Sequence, residues 1–260
     1  METALITGAS SGIGYELAKI FASNKINLVL TARNTTELNK LKNELEIRFE
    51  IKILVIGKDL SNPGSTKEIF EEVHKSGIEI NYLINNAGFG DFGFFYKCNW
   101  EKQKQMINLN ITALTQLTRL FLPELISKGK GKILNVASTA AFQPGPLMSV
   151  YYATKAYVLF FSEAIANELK GTGVTVTALC PGPTKSGFQK TANLEYSRLF
   201  KRKIIPTAEV VAKYGYSAMM KGKIIAVHGF VNKLLAFFSP RAPKWIVIRI
   251  VRKMNEVTKK

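Results

Sequence analysis

Six short apolar runs recur along the chain, at residues 2–7, 26–32, 51–56, 81–84, 132–137 and 174–179, and each is followed by a stretch of helical periodicity. Strands that alternate with helices in this way predict an α/β fold, a doubly wound parallel sheet with helices on both faces. The run Ile26-Asn27-Leu28-Val29-Leu30-Thr31-Ala32 is apolar enough to be buried on both sides. Asn34, with Glu37 three residues on, reads as a capping box opening the second helix. Further helices are expected over 65–74, over 99–122 with Pro123 closing that helix, and over 207–221, with a last strand over 223–227. Asn108 and Asn110 fall inside the long helix, where asparagine competes for backbone groups, so one of them is expected to mark a kink or a buried hydrogen bond.

In an open parallel sheet, ligands sit at the carboxyl ends of the strands. Gly8, Asn86, Ser138 and Pro181 all fall at such ends. The first is the turn Thr7-Gly8-Ala9-Ser10-Ser11-Gly12-Ile13-Gly14, between a strand and a helix. Glycines there let the backbone approach a pyrophosphate, and the helix N-terminus offers it N–H groups and positive dipole. The spacing is GxxxGxG rather than the GxGxxG fingerprint. After the second strand, where an acid would bind a ribose 2′-hydroxyl, the chain has Ala32-Arg33; an arginine suits a 2′-phosphate, so NADP(H) is the expected cofactor. Tyr151 and Lys155 lie four residues apart, on one face of a helix. A lysine ammonium beside a phenol favours the phenolate and lowers its pKa, which suits proton transfer to a carbonyl oxygen.

The 260 residues suit one large domain, and no linker, repeat or low-complexity tract divides them. No apolar run reaches the roughly 18 residues of a membrane span, and no basic leader precedes the first strand. Cys98, Cys180, His74 and His228 make no metal-ligand spacing, so no metal is expected; the thiols read as free and the compartment as cytoplasmic. Charge is uneven: residues 185–260 carry 17 basic residues against Glu195, Glu209 and Glu256, a net +14 of the total +17. Such asymmetry points to an anionic partner. No recognition motif accompanies it, so nucleic acid is not expected to be that partner.

Taken together, TGxxxGIG at Thr7–Gly14, NNAG at Asn85–Gly88, Asn110, Ser138, YxxxK at Tyr151–Lys155 and PG at Pro181-Gly182 resemble the short-chain dehydrogenase/reductase family over about residues 2–187. The resemblance implies a Rossmann-type fold in a single domain, an NADP-preferring member with an extended basic tail, and commonly a homo-oligomer, dimer or tetramer. It implies that Tyr151 donates the proton in carbonyl reduction, that Lys155 lowers its pKa and hydrogen-bonds the nicotinamide ribose, that Ser138 holds the substrate oxygen, and that Asn110, with Asn108 as its rival, holds a water in a relay. For the cofactor it implies Gly8, Ser10, Ser11, Gly12, Ile13 and Gly14 in the phosphate turn, with Arg33 at the 2′-phosphate. Asp59 and Leu60 would meet adenine, and Asn86, Ala87 and Gly88 the ribose side. Tyr151, Lys155, Pro181, Gly182 and Thr184, with Ser186, would meet the nicotinamide end.

The expected catalytic domain covers 1–228, with a substrate lid over about 188–203, and residues 229–260 form a basic amphipathic extension packed on the same domain. On a helical wheel Arg249, Arg252 and Lys253 oppose Ile246, Val247, Ile250, Val251 and Met254. Such a tail can cap the pocket, pair with another subunit, or make peripheral contact with an anionic membrane. The expected function is an NADPH-dependent reductase of a ketone or β-keto ester, reversible as alcohol oxidation. The alternatives are a reductase of 3-oxoacyl thioesters carried by coenzyme A or an acyl carrier protein, and an NADP-binding membrane-surface sensor without turnover.

Overall fold

Alternate residues of the first strand, β1 (Thr3–Thr7), serve opposite faces: Ala4 and Ile6 pack in one buried cluster and Leu5 in another. The same period-two division runs through the whole sheet and explains why its strands read as continuous apolar runs. In the computed structural model, which describes residues 1–192 and 205–256, β1 is joined by β2 (Asn27–Ala32), β3 (Ile53–Gly57), β4 (Tyr82–Asn85), β5 (Gly131–Val136), β6 (Val174–Cys180) and β7 (Ile225–Val227). The strands lie in the order β3-β2-β1-β4-β5-β6-β7, and every pairing is parallel. The order reverses between β1 and β4, which opens a crevice at their carboxyl ends.

Helices α1 (Gly12–Ser23), α2 (Thr35–Phe49) and α8 (Ala208–Met220) carry the cluster around Phe21, Leu38 and Val211 on one face. On the other face α3 (Ser65–Lys75), α5 (Leu114–Ser127) and α6 (Ser149–Glu168) carry Ile69, Phe121 and Ile165. Phe21 and Phe121 are fully buried, one on each face, and each contributes about 1.5–3 kcal/mol through removal from water. The layered α/β architecture is therefore the one the alternating pattern predicts.

Three local expectations are corrected. The helix expected over 99–122 is divided into α4 (Trp100–Ile107), a π-helical turn (Asn108–Ala113) and α5. Pro123 does not close it: the helix runs on to Ser127. Pro123 cannot donate to the carbonyl of Arg119, but both residues are exposed, so water can serve that carbonyl. The capping box at α2 is half formed. The Asn34 side chain accepts from Glu37 N at 3.2 Å, while the Glu37 carboxylate pairs with Lys40 at 2.7 Å.

Beyond β6 a short α7 (Phe188–Thr191) is described; residues 193–203 of the expected lid lie outside the described residues. The tail folds as α9 (Phe230–Phe238) and α10 (Lys244–Asn255). The wheel for α10 is corrected. Its inner stripe is Val247, Val251 and Asn255, Ile250 is 54% exposed, and Arg252 is half-buried against the Phe94 ring. Among the described residues, no helix is long and apolar enough to cross a membrane.

Candidate active site

The turn after β1 and the loop after β4 are locked together by two side chains. Thr7 Oγ1 accepts from the N–H groups of Asn86 and Ala87, each at 2.9 Å, and Asn86 Nδ2 donates to Thr7 O at 2.8 Å. Gly8 has φ +66°, and a Cβ there would stand 2.9 Å from Ala87 Cα. A Cβ on Gly14 would stand 2.4 Å from Gly8 O. Only glycine allows this tight fold-back. Ser11 precedes α1 without capping it by its side chain, so the first N–H groups of that helix are left for another acceptor.

This turn forms one wall of a cavity of about 410 Å³ that runs across the carboxyl edge of the sheet. Of the residues expected at the cofactor, Gly8, Ser10, Ser11, Gly12, Ile13, Arg33, Asp59, Leu60, Asn86, Ala87, Gly88, Pro181, Gly182, Thr184 and Ser186 line it. Gly14 does not, because it lies behind the turn against Gly8. Arg33 Nη1 stands 3.7 Å from Asp59 Oδ2, and its side chain is 73% exposed. Lys58, which sequence reasoning passed over, lines the same end, with its Nζ 2.5 Å from Glu68.

Ser138, Tyr151 and Lys155 also line the cavity. Ser138 follows β5 in extended backbone; its Oγ accepts from Ala140 N at 3.1 Å and donates to Pro181 O at 3.4 Å. Tyr151 and Lys155 occupy successive turns of α6 and are 8% and 5% exposed. Lys155 Nζ donates to Val136 O at 2.7 Å and lies 5.9 Å from the Tyr151 ring centroid. Burial lowers the Lys155 pKa to about 8. The Tyr151 phenol is pushed up by burial, opposed by its hydrogen bond with Ser138. Desolvation outweighs the other influences on a phenol held this deep.

Asn110 sits in the π-turn, 1% exposed and just behind Gly88. Its Nδ2 donates to Phe89 O at 2.9 Å and to Thr154 Oγ1 at 3.0 Å, and its Oδ1 accepts from Phe89 N at 3.1 Å. Its donors therefore hold the loop after β4 against α6 rather than reaching the cavity. The rival Asn108 turns away and donates to Ser61 O at 3.2 Å.

Beside Tyr151 the cavity is walled by the apolar Phe89, Met148 and Phe188, and Leu235 and Met254 also line it. The Phe188 ring lies 5.3 Å from that of Tyr151. Asn232 and Leu235 of α9 and Met254 of α10 bring the tail into the wall, the pocket-capping role among those open for it. Leu235 and Asn232 carried no sequence signal, because apolar residues run almost the length of α9 and do not mark which side meets the cavity. Among the described residues no cluster of His, Cys, Asp and Glu could hold a metal ion.

A family model described as short chain dehydrogenase matches residues 2–197. A curated very-long-chain 3-oxoacyl-CoA reductase from Rattus norvegicus is 30% identical over 267 residues, covering 98% of this chain and 80% of that protein. Among solved structures, a short-chain dehydrogenase from Sphingobium yanoikuyae in complex with NADPH superposes with a TM-score of 0.83 at 30% identity, covering 93% of this chain and 94% of that one. A bulky-bulky ketone specific alcohol dehydrogenase from Comamonas testosteroni gives 0.78 at 30% identity, covering 90% of each chain.

Proposed function

The chain belongs to the short-chain dehydrogenase family of oxidoreductases, acting between CH–OH and C=O groups, and from that membership we propose that it reduces the 3-oxo group of an acyl thioester with NADPH. The observation that carries the proposal is the division of the cavity. One end is a glycine cradle with Arg33 and Lys58, and the other is an apolar chamber that meets it at Ser138, Tyr151 and Lys155. The likeness to the rat reductase over nearly the whole chain supports the same substrate class.

The residues present fit the cofactor. The cradle where a Cβ would collide, with the uncapped start of α1, suits a pyrophosphate. Arg33 and Lys58 suit a 2′-phosphate, and the position holds no acid that would prefer a free 2′-hydroxyl. When bound, NADPH supplies the hydride.

The protein's own part is placement and proton delivery. Ser138 Oγ and the Tyr151 hydroxyl orient the 3-oxo oxygen and stabilise negative charge developing on it. Tyr151 then gives that oxygen its proton. Burial favours the neutral phenol, which is the form a proton donor needs. With a pKa of about 8, Lys155 is still mostly cationic at neutral pH and favours the phenolate left behind. The chamber of Phe89, Met148, Phe188, Leu235 and Met254 excludes water and receives the acyl chain.

A second reading, reduction of a bulky free ketone, is supported by the likeness to the Comamonas enzyme. NADPH oxidation with 3-oxoacyl-CoA substrates of graded chain length, beside β-keto esters and bulky ketones, separates the two. The thioester reading expects kcat/KM to climb with chain length and to exceed that for any free ketone. A ketone preferred over every thioester would overturn it.

A further inference from the structure

Helix α9 reads Phe-Val-Asn-Lys-Leu-Leu-Ala-Phe-Phe, and none of its residues is buried. Phe230, Val231, Leu234, Phe237 and Phe238 range from 43% to 75% exposed. Helix α10 extends the surface with Trp245, Ile248 and Ile250, all outward, while its inner stripe holds it to the body of the protein. A third piece adjoins it: Phe94, Phe95, Tyr96 and Trp100 are exposed, and the Arg252 guanidinium lies 5.0 Å from the Phe94 ring centroid, bridging that loop to α10. Contiguous apolar surface on this scale marks a contact site.

Cations are set among these rings. Lys97, Lys233, Arg241, Lys244, Arg249 and Lys253 are all exposed. Arg241 lies 4.0 Å over the Phe237 ring and Arg249 5.2 Å over Trp245. Residues 230–255 contain no Asp or Glu. An isologous dimer through this face would set α9 and α10, which hold no acid, against their own copy, cation facing cation. A lipid surface satisfies both halves of the pattern: aromatic rings settle at headgroup depth, and lysines and arginines meet phosphate.

We propose that α9, α10 and the 94–100 loop dock the protein on an anionic lipid bilayer, with the two helices lying in the interfacial plane. Asn232, Leu235 and Met254 of the same helices line the cavity, so docking brings its apolar end beside the lipid. The docking does not depend on the substrate. Entry of an acyl chain from the bilayer rests on the thioester reading, and vesicle binding measured without substrate keeps the two separable.

The test is co-sedimentation of the full-length protein with vesicles of phosphatidylcholine alone and of phosphatidylcholine containing phosphatidylserine. The expected result is at least roughly tenfold stronger binding to the anionic vesicles, weakening as salt is raised. An exposed cation near the surface contributes about a five-fold factor, so the double change Lys233→Glu with Arg249→Glu should lower binding more than about tenfold. Phe237→Ser with Trp245→Ser should lower it independently. None of these four residues lines the cavity, so turnover of a soluble ketone should be unchanged, which also shows that the variants fold. Failure to bind anionic vesicles overturns the proposal, as does binding that the variants leave intact. A dimer in light scattering that Phe237→Ser dissociates, without any vesicle binding, would make a second copy the occupant instead.

Discussion

Tyr151 and Lys155 respond to the same burial in opposite directions, and the lysine sets the measurable consequence. Its pKa falls from 10.5 to about 8 because the cation is desolvated. If the cation is the working form, kcat/KM for reduction is level at lower pH and falls about tenfold per unit above pH 8. Lys155→Arg, where it retains activity, should remove that limb, since guanidinium stays charged. The same shift has a stability sign. Between pH 8 and 10.5 the unfolded chain binds more protons at this residue than the folded one, so its contribution to stability rises with pH through that window. The Tm of wild type should therefore gain on that of Lys155→Met from pH 8 to 10, and a gap that narrows would contradict the assignment. Arg33 carries a second prediction at this scale. Arg33→Ala should lower kcat/KM with NADPH by roughly 10- to 100-fold, the worth of a charged hydrogen bond, and leave NADH nearly unaffected. The pair Tyr151 and Lys155 was legible because an i, i+4 spacing needs only a helix to bring its members together. The phenol's environment was not, since it depends on Phe188 and on the loop before α6, residues brought near by the fold rather than by spacing.

At the scale of elements, the strands were legible and the irregular turns only partly so. Two asparagines inside a helical pattern signalled a kink or a buried bond, and Asn110 supplies both, a π-turn and three hydrogen bonds. The continuation of α5 through Pro123 was hidden because it depends on which side of the helix faces water. The attachment of α10 was hidden for a similar reason. It turns on Asn255, which reads as an ordinary polar residue near the chain's end. In the fold Asn255 is fully buried; its Nδ2 donates to Pro146 O at 2.8 Å and its Oδ1 accepts from the Tyr152 hydroxyl at 3.2 Å. It thus ties the tail to the loop that delivers Met148 to the cavity. Asn255→Leu strands two polar partners at a cost of about 1–3 kcal/mol. The expected result is a lower Tm and a substrate KM raised several-fold with kcat little changed. Asn255→Asp should retain more of both, because it keeps an acceptor for Tyr152. An equal fall in kcat and KM-independent loss of folded protein would reduce Asn255 to a stability role.

The whole molecule is divided by charge rather than by its chain path. The sheet and its first helices are nearly neutral, whereas the described part of the last third holds Lys213, Lys221, Lys223 and the cations of α9 and α10 against Glu209 and Glu256. That imbalance was visible in the sequence, but its placement was not, because only the fold brings α9 and α10 to the cavity wall. A field from many exposed cations acts over about a Debye length, roughly 8 Å at physiological salt, and fades as salt is added. A 3-oxoacyl-CoA brings several phosphate charges to that surface, whereas a β-keto ester brings none. If the thioester is the substrate, KM for the CoA form should rise several-fold as sodium chloride is raised from low to physiological levels, while KM for a neutral ester holds steady. The comparison is internal, because both substrates meet the same Ser138 and Tyr151. Any effect of salt on the chemistry or on NADPH appears in both, and the difference reports the handle alone. Parallel salt dependence for the two would leave the acyl handle unrecognised by the basic third.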